Sequence, residues 1–253
     1  MLEVDLSGFL GVQGRGMEAD IEGAARLGDL GYWIGSHGAS REGRARPNRQ
    51  RLFAVHFAGP ADAPRLEPVG RPCRTLGSVL LADPRYRRQG LAGLRPEQPP
   101  EEGGLNIEGL AALGADGLLI GLRGPLAGGK AILAPLLNPR AALDGEAPRL
   151  GDPILLDLHG QGIRDLAWSG REYFLIAGGA EGGGKPRLYR WPGPGKDPSP
   201  IEHKGLKNFN PEALVVFGEP DRLRLLLLSD DGRAKGASEG RGLPRFRSFW
   251  VDP

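Results

Sequence analysis

The chain lacks the features that mark several protein classes. It has one cysteine, Cys73, in 253 residues, which excludes an intrachain disulfide framework and a cysteine-based zinc site. No apolar run approaches the roughly 18 residues that a membrane-spanning helix needs. The first residues, Met1–Asp5, have neither the basic nor the apolar region of a secretory signal. We therefore expect a cytoplasmic protein that does not insert into a membrane.

A strong excess of positive charge is also missing. The formal net charge is only +2, and no block of five or six basic residues is present. The most basic stretch, residues 41–51, is interrupted by proline, asparagine and glutamate, which is typical of a solvated loop. The sequence therefore predicts no nucleic-acid partner.

Glycine and proline, in contrast, are abundant. The chain has 42 glycines and 23 prolines, scattered between short apolar runs without a collagen-like period. This pattern is typical of many short strands joined by turns. Hydrophobic residues make up 40% of the chain, which is enough for a packed core.

Four similar segments recur along the chain. They begin at Ile21-Glu22-Gly23, Ile107-Glu108-Gly109, Ile163-Arg164-Asp165 and, more loosely, Pro211-Glu212-Ala213. In the first three segments a second isoleucine follows 13 residues after the first, at Ile34, Ile120 and Ile176. A glycine-containing turn and an apolar run lie between the two, so each segment predicts a β-hairpin. We expect these three isoleucines to occupy equivalent buried positions.

Further strands follow each hairpin. The predicted third strands are Arg51–Phe57, Lys130–Leu137, Arg187–Trp191 and Arg245–Val251, and the predicted fourth strands are Leu66–Val69, Pro153–Leu158 and Pro200–His203. Three or four antiparallel strands per unit form the blade of a β-propeller. We therefore predict one all-β, β-propeller-like domain over residues 1–253, with a partly helical insertion at residues 74–95. A β-sandwich of ordinary hairpins is the alternative, and more blades or an incomplete ring stay open.

The chain start bears on ring closure. Residues 2–6 alternate apolar and polar side chains, which predicts a strand that either closes the ring or remains from a lost blade.

The repeat also predicts where a site lies. In a propeller the first strand of each blade lines the central channel and the second returns beside it. The start of the first strand and the end of the second therefore lie at the same mouth. This places at the mouth Glu22, Glu108, Arg164, Asp165 and Glu212, with His37, Arg123 and Asp230 just outside. These eight residues are the predicted ligand-binding set, and His37 is a weak candidate for acid–base catalysis.

Two interpretations of the mouth remain open. Glu22, Glu108 and Glu212 could hold a calcium ion together with oxygens of Asn106 and Asn210, because carboxylates at one mouth repel each other without a cation. Alternatively, the carboxylates accept backbone N–H groups of neighbouring blades and only tie the ring together, with Arg164 compensating their charge.

Two functions follow from these interpretations. The first is a non-catalytic propeller that binds a small ligand or a protein partner at the channel mouth. The alternative is a metal-dependent hydrolase of phosphate or lactone esters, with the cation on the three glutamates and His37 as acid–base. A purely structural scaffold is a third hypothesis.

Three motifs in order carry a resemblance. These are Ala19–Gly23 with Ile34–His37, Asn106–Leu110 with Gly121–Pro125, and Gly162–Leu166 with Arg187–Trp191. Together they resemble the domain-of-unknown-function family 3616, from about residue 17 to about residue 232. The resemblance implies a bacterial origin and a propeller-like fold, but it transfers no catalytic residues because the family has no established activity.

A more distant similarity concerns the first repeat. Asp20-Ile21-Glu22-Gly23 is similar to the strand-start motif of calcium-dependent phytase-like propellers. The third repeat has Arg-Asp and the fourth Glu-Ala in place of Glu-Gly. The resemblance therefore does not imply a full multi-calcium phosphatase site.

Overall fold

Each repeated segment folds as a hairpin that opens a small antiparallel sheet. The computed structural model describes residues 4–12, 18–60, 62–181, 183–219, 222–229 and 246–253. In each sheet the strands follow one another in chain order, from the inner strand of the hairpin outward. The four sheets surround a central cavity as the blades of a β-propeller do, which confirms the predicted fold class.

The strand bounds agree closely with the predicted ones. Blade 1 comprises β1 (Ile21–Leu27), β2 (Leu30–Gly35), β3 (Leu52–Ala58) and β4 (Arg65–Cys73), and blade 2 comprises β5 (Asn106–Leu113), β6 (Gly117–Gly124), β7 (Ala131–Leu136) and β8 (Ile154–Leu156). Blade 3 comprises β9 (Gly162–Trp168), β10 (Tyr173–Gly178), β11 (Arg187–Trp191) and β12 (Ser199–Ile201), and blade 4 comprises β13 (Pro211–Phe217), β14 (Arg224–Ser229) and β15 (Ser248–Val251).

Helices are short. They are α1 (Ser7–Leu10), α2 (Leu76–Ala82), α3 (Pro84–Tyr86) and α4 (Pro139–Leu143), with 3-10 turns at Pro47–Arg49, Pro100–Glu102 and Lys204–Asn208 and a π-turn at Arg87–Leu91. The insertion between blades 1 and 2 is partly helical, as predicted, and it buries Leu76, Leu80, Tyr86 and Leu91 against both blades. None of the helices in the described residues is long and apolar enough to cross a membrane.

The strand predicted at residues 2–6 is wrong for the part that the structure describes. Residues 4–6 are irregular, and α1 follows them directly. Leu10 of this helix is buried with Phe53 and Val55 of β3. Leu6 packs against the same cluster, so this segment covers the face of blade 1 opposite to blade 2 instead of adding a strand.

Adjacent blades are joined by apolar cores. One core lies between blades 1 and 2, a second between blades 2 and 3, and a third between blades 3 and 4. Neighbouring residues of a strand point to opposite faces, so Leu118 and Ile120 of β6 belong to the first core whereas Leu119 belongs to the second. Within the described residues, no corresponding core joins blade 4 to blade 1.

The three isoleucines are buried as predicted, but one is not equivalent to the others. Ile34, Ile120 and Ile176 are 0%, 1% and 0% exposed. The partner of Gly23 is Ile34, whereas the partner of the equivalent Gly109 is Gly121. The cause is the turn, since β1 and β2 are joined by two residues and β5 and β6 by three. Ile120 is therefore displaced by one position and faces blade 1, not blade 3.

The glycine pair at this position allows blades 2 and 3 to approach closely. A Cβ atom on Gly121 would lie 2.7 Å from Cγ2 of Ile163, and one on Gly109 would lie 2.8 Å from the same methyl group. The Ile163 side chain therefore occupies the space that these two glycines leave free.

We expect Gly121→Ala to lower the free energy of unfolding by about 1–3 kcal/mol, the usual cost of overpacking. In an Ile163→Ala background the same change should cost less, because the clashing methyl group is gone. Urea unfolding of the two single variants and the double variant measures this coupling. Additive losses would contradict the close approach.

Candidate functional site

One β-bulge recurs at the same place in the inner strand of every blade. The regular pairing of this strand with its neighbour skips one residue in each blade: Glu22, Glu108, Arg164 and Glu212. A bulge inserts one extra residue into a strand and redirects its side chain. All four bulge residues line a single cavity.

The cavity is large and strongly charged. Its volume is about 1090 Å³. Among the described residues its arginines are Arg41, Arg46, Arg49, Arg123 and Arg164. Its carboxylates are Asp20, Glu22, Glu42, Glu101, Glu108, Glu181 and Glu212. Both charge signs therefore face the same enclosed space.

Glu108 anchors the blade 2 side of the cavity. Arg123 Nη1 donates a hydrogen bond to its Oε1 at 2.6 Å, and Asn106 Nδ2 donates to the same oxygen at 3.0 Å. Arg123 Nε also donates to the carbonyl oxygen of Gly179 in the loop after β10, at 3.0 Å. The pair is largely buried, since the side chains of Arg123 and Glu108 are 18% and 7% exposed. It links blade 2 to blade 3.

Arg164 connects three blades. It stands in blade 3, pairs with Glu212 of blade 4 and donates from Nη1 to Asn210 Oδ1 at 2.8 Å. Its Nε lies 3.9 Å from Glu108 Oε2 in blade 2. Asn210 also donates to Glu212, at 3.2 Å. The arginine therefore lies between the carboxylates of blades 2 and 4, as the charge-compensation interpretation requires.

Blade 1 is organised differently. Asp20 pairs with Arg49 at 3.1 Å, and Arg49 also pairs with Glu18. Glu22 takes part in no hydrogen bond or ion pair among the described residues, although it faces the cavity and keeps much of its surface accessible. The surrounding cavity walls still remove part of the hydration of its carboxylate, and this desolvation, reinforced by the charges of Glu108 and Asp20, raises the pKa of Glu22 to about 8.

The predicted calcium ligands do not form a metal site. In the part of the chain that the structure describes, no three histidine, cysteine, aspartate or glutamate side chains are grouped so that they could hold a metal ion. Arginines instead engage Glu108 and Glu212. The arrangement is an ion-pair network and not the cage of oxygen ligands that calcium requires.

His37 does not lie at the mouth, contrary to the prediction. It is 4% exposed, and its Nδ1 lies 2.9 Å from the carbonyl oxygen of Gly35. Burial lowers the pKa of His37 to about 4, so the imidazole is neutral. The reason is again the turn length: Ser36 is the blade 1 counterpart of Arg123, and His37 lies one position beyond it. This position does not suit acid–base chemistry on a ligand in the cavity.

Asp165 is also absent from the cavity wall. Its carboxylate accepts the backbone N–H of Leu166 at 2.7 Å and that of Leu214 at 2.6 Å. Leu214 belongs to β13, so Asp165 ties blade 3 to blade 4. Burial raises the pKa of Asp165 to about 7 despite these two donors. The role of tying neighbouring blades together, which was predicted for the glutamates, is thus performed here by Asp165, the residue after Arg164. Asp230, the last predicted residue, lies outside the described residues.

Sequence reasoning missed the basic loop after β2. Residues 41–51 were expected to be a solvated loop, yet Arg41, Arg46 and Arg49 line the cavity. The position of this loop in the chain could have indicated its role, because a loop that follows the end of β2 begins at the mouth of the channel. The guanidinium of Arg46 makes no hydrogen bond or ion pair with any described residue, and its Nε is buried.

The fold and the site define a β-propeller-like protein with a charged cavity at one mouth. Residues 75–219, more than half of the chain, match the profile of the family described as "Protein of unknown function (DUF3616)". The chain belongs to this family, as the motifs indicated. A search among curated proteins finds no match.

We expect Arg123→Met to destabilise the fold by about 3 kcal/mol, because it removes the nearest cation and hydrogen-bond donor of the buried Glu108 carboxylate. Adding Glu108→Gln should recover part of this loss. Arg41→Met removes an exposed pair with Glu101 and should cost less than about 1 kcal/mol. Equal losses for Arg123→Met and Arg41→Met in urea unfolding would contradict the assigned network.

Glu22→Gln should change how stability depends on pH. The folded pKa of Glu22, about 8, exceeds its ordinary value of 4.5, so folding binds a proton between these values and wild-type stability falls as pH rises through them. The variant loses this term, so its melting temperature should rise relative to wild type from pH 4.5 to 8. Below pH 4.5 the difference should be constant, which provides an internal reference. Parallel profiles throughout would disprove the shift.

Proposed function

We propose that the cavity is a binding site for a small charged ligand and that the protein acts as a non-catalytic binding module. The observation that carries this proposal is the recurring bulge, which directs one charged side chain from every blade into a single cavity. Bulges often redirect side chains at functional sites. A bulge kept only for packing would not need a charged residue in all four blades.

Unpaired groups in the cavity support a ligand further. Buried polar groups normally have hydrogen-bond partners, so exceptions call for an explanation. Arg46 Nε and Glu108 Oε2 are buried without a hydrogen-bond partner among the described residues. Glu22 is exposed to the cavity and has no hydrogen-bond or ion-pair partner among them either. A ligand with groups of both charge signs could pair with Glu22 and Arg46.

The shape of the site favours a small ligand over a broad protein surface. A concave site of about 1090 Å³ is at the upper end of the range typical of small-molecule pockets. A protein partner could reach the charged groups only through a chain end or loop that enters the cavity. The metal-dependent hydrolase has less support, because His37 lies away from the cavity and two of the three glutamates are paired with arginines.

A thermal-shift panel tests this proposal. The compounds are amino acids and short peptides, polyamines, sugar phosphates and neutral sugars. At least one charged class should raise the melting temperature of the wild type, since a ligand that binds only the folded state stabilises it. Neutral sugars should not.

Two tryptophan variants localise the effect. Ala180 lines the cavity, so Ala180→Trp should fill it and abolish the shift without removing a charge. Ala63 is exposed in the turn between β3 and β4, so Ala63→Trp should leave the shift intact. The proposal fails when no charged class raises the melting temperature or when Ala180→Trp responds as the wild type does.

A further inference from the structure

Two carboxylates on adjacent blades, Glu22 and Glu108, line one side of the cavity, and of these two only Glu108 has arginine partners among the described residues. Glu108 is 5% exposed, and its Oε2 is buried without a hydrogen-bond partner in the described residues. Glu22 of the neighbouring blade has no hydrogen-bond or ion-pair partner among the described residues, and the charge of Glu108 contributes to its raised pKa. The nearest cation to Oε2 of Glu108 is Arg164, whose Nε lies 3.9 Å away, beyond hydrogen-bond distance.

The cations around these two carboxylates are already engaged. The charged groups that face Glu22 are Glu108, Asp20, Arg123 and Arg49. Arg123 bonds to Oε1 of Glu108 and to Gly179, and Arg49 pairs with Asp20 and Glu18. Of Glu22, Glu108 and Asp20, Glu22 alone therefore has no arginine partner among the described residues, and a cation beside it would favour its ionised form.

Arg46, which lines the same cavity, is a cation without an anionic partner in the described part of the chain. Its guanidinium has no carboxylate partner among the described residues, and Arg49, three residues later, is paired with Asp20. A guanidinium binds a carboxylate through two parallel hydrogen bonds. The cavity thus offers a site for a cation and a site for an anion.

We propose that the cavity binds an amino acid or a peptide end, with the ligand's free ammonium group held by Glu22 and its carboxylate held by Arg46. This inference rests on the proposed binding function. An ammonium group has three N–H donors and no acceptor, so it can bond to the Glu22 carboxylate, and its charge favours the ionised form of that carboxylate. It needs fewer oxygens than a calcium ion does, which agrees with the engagement of the other glutamates by arginines.

Isothermal titration calorimetry with three related peptides tests the inference. Trialanine has both charged ends, N-acetyl-trialanine lacks the ammonium, and trialanine amide lacks the carboxylate. Hydrogen bonds to charged groups contribute more than neutral ones, so acetylation and amidation should each weaken binding at least tenfold. L-alanine separates the two sources, because comparable binding of L-alanine would assign a free amino acid and its weaker binding a peptide end.

Two variants assign the ends of the ligand. Glu22→Gln should remove most of the difference between trialanine and N-acetyl-trialanine but keep the difference between trialanine and its amide. Arg46→Gln should do the reverse. Glu67→Gln changes an exposed glutamate on β4 outside the cavity and should leave all affinities unchanged. Melting temperatures confirm that each variant is folded before titration.

The outcomes separate this inference from the proposed function. Equal binding of trialanine and its acetylated form would overturn the ammonium site, and an effect of Glu22→Gln on the carboxylate end would overturn the orientation. Absence of peptide and amino-acid binding, with a cavity-dependent shift by another charged class, would overturn the inference and leave the binding function standing. Absence of a shift by any class would remove both.

Discussion

The bulge in each inner strand is the constraint on which the rest of the structure depends. An inner strand packs against neighbouring blades on both faces, so a side chain in regular register would enter an apolar interblade core. A charged residue there would lose its hydration without compensation. The extra residue of the bulge escapes this alternation, and Glu22, Glu108, Arg164 and Glu212 can therefore be charged without disrupting the cores.

The charges of the four bulge residues are compensated to different extents in the four blades. Four glutamates at one mouth would repel each other strongly. An arginine at the bulge of blade 3 reverses one charge and bridges its neighbours, while Arg123 neutralises Glu108 from the adjacent strand. Asparagines two residues before Glu108 and Glu212 add a hydrogen bond to each carboxylate. Blade 1 has aspartate at that position, and this increases the negative charge around Glu22.

Much of this could be predicted from the sequence. Short apolar runs separated by glycine-containing turns predict hairpins. A charged residue at the same position of each repeat indicates that these residues lie at the same mouth of the channel. The face of the sheet that each strand residue occupies could not be predicted. One additional residue in the β5–β6 turn moves Ile120 to the opposite face and makes Ser36, not His37, the counterpart of Arg123. The path of the arginine-rich loop after β2 depends on tertiary contacts, so its place in the cavity wall was not visible in the local pattern.

The lack of an arginine partner for Glu22 among the described residues argues for a ligand more strongly than the number of charges in the cavity does. A ring selected for stability alone has a simple remedy at blade 1, since the same chain places arginine at the equivalent position of blade 3. Glu22 instead stays unpartnered among the described residues, beside Asp20 and Glu108, where burial and repulsion oppose its ionisation. A cationic group beside Glu22 would favour its ionised form and offset the repulsion from Asp20 and Glu108.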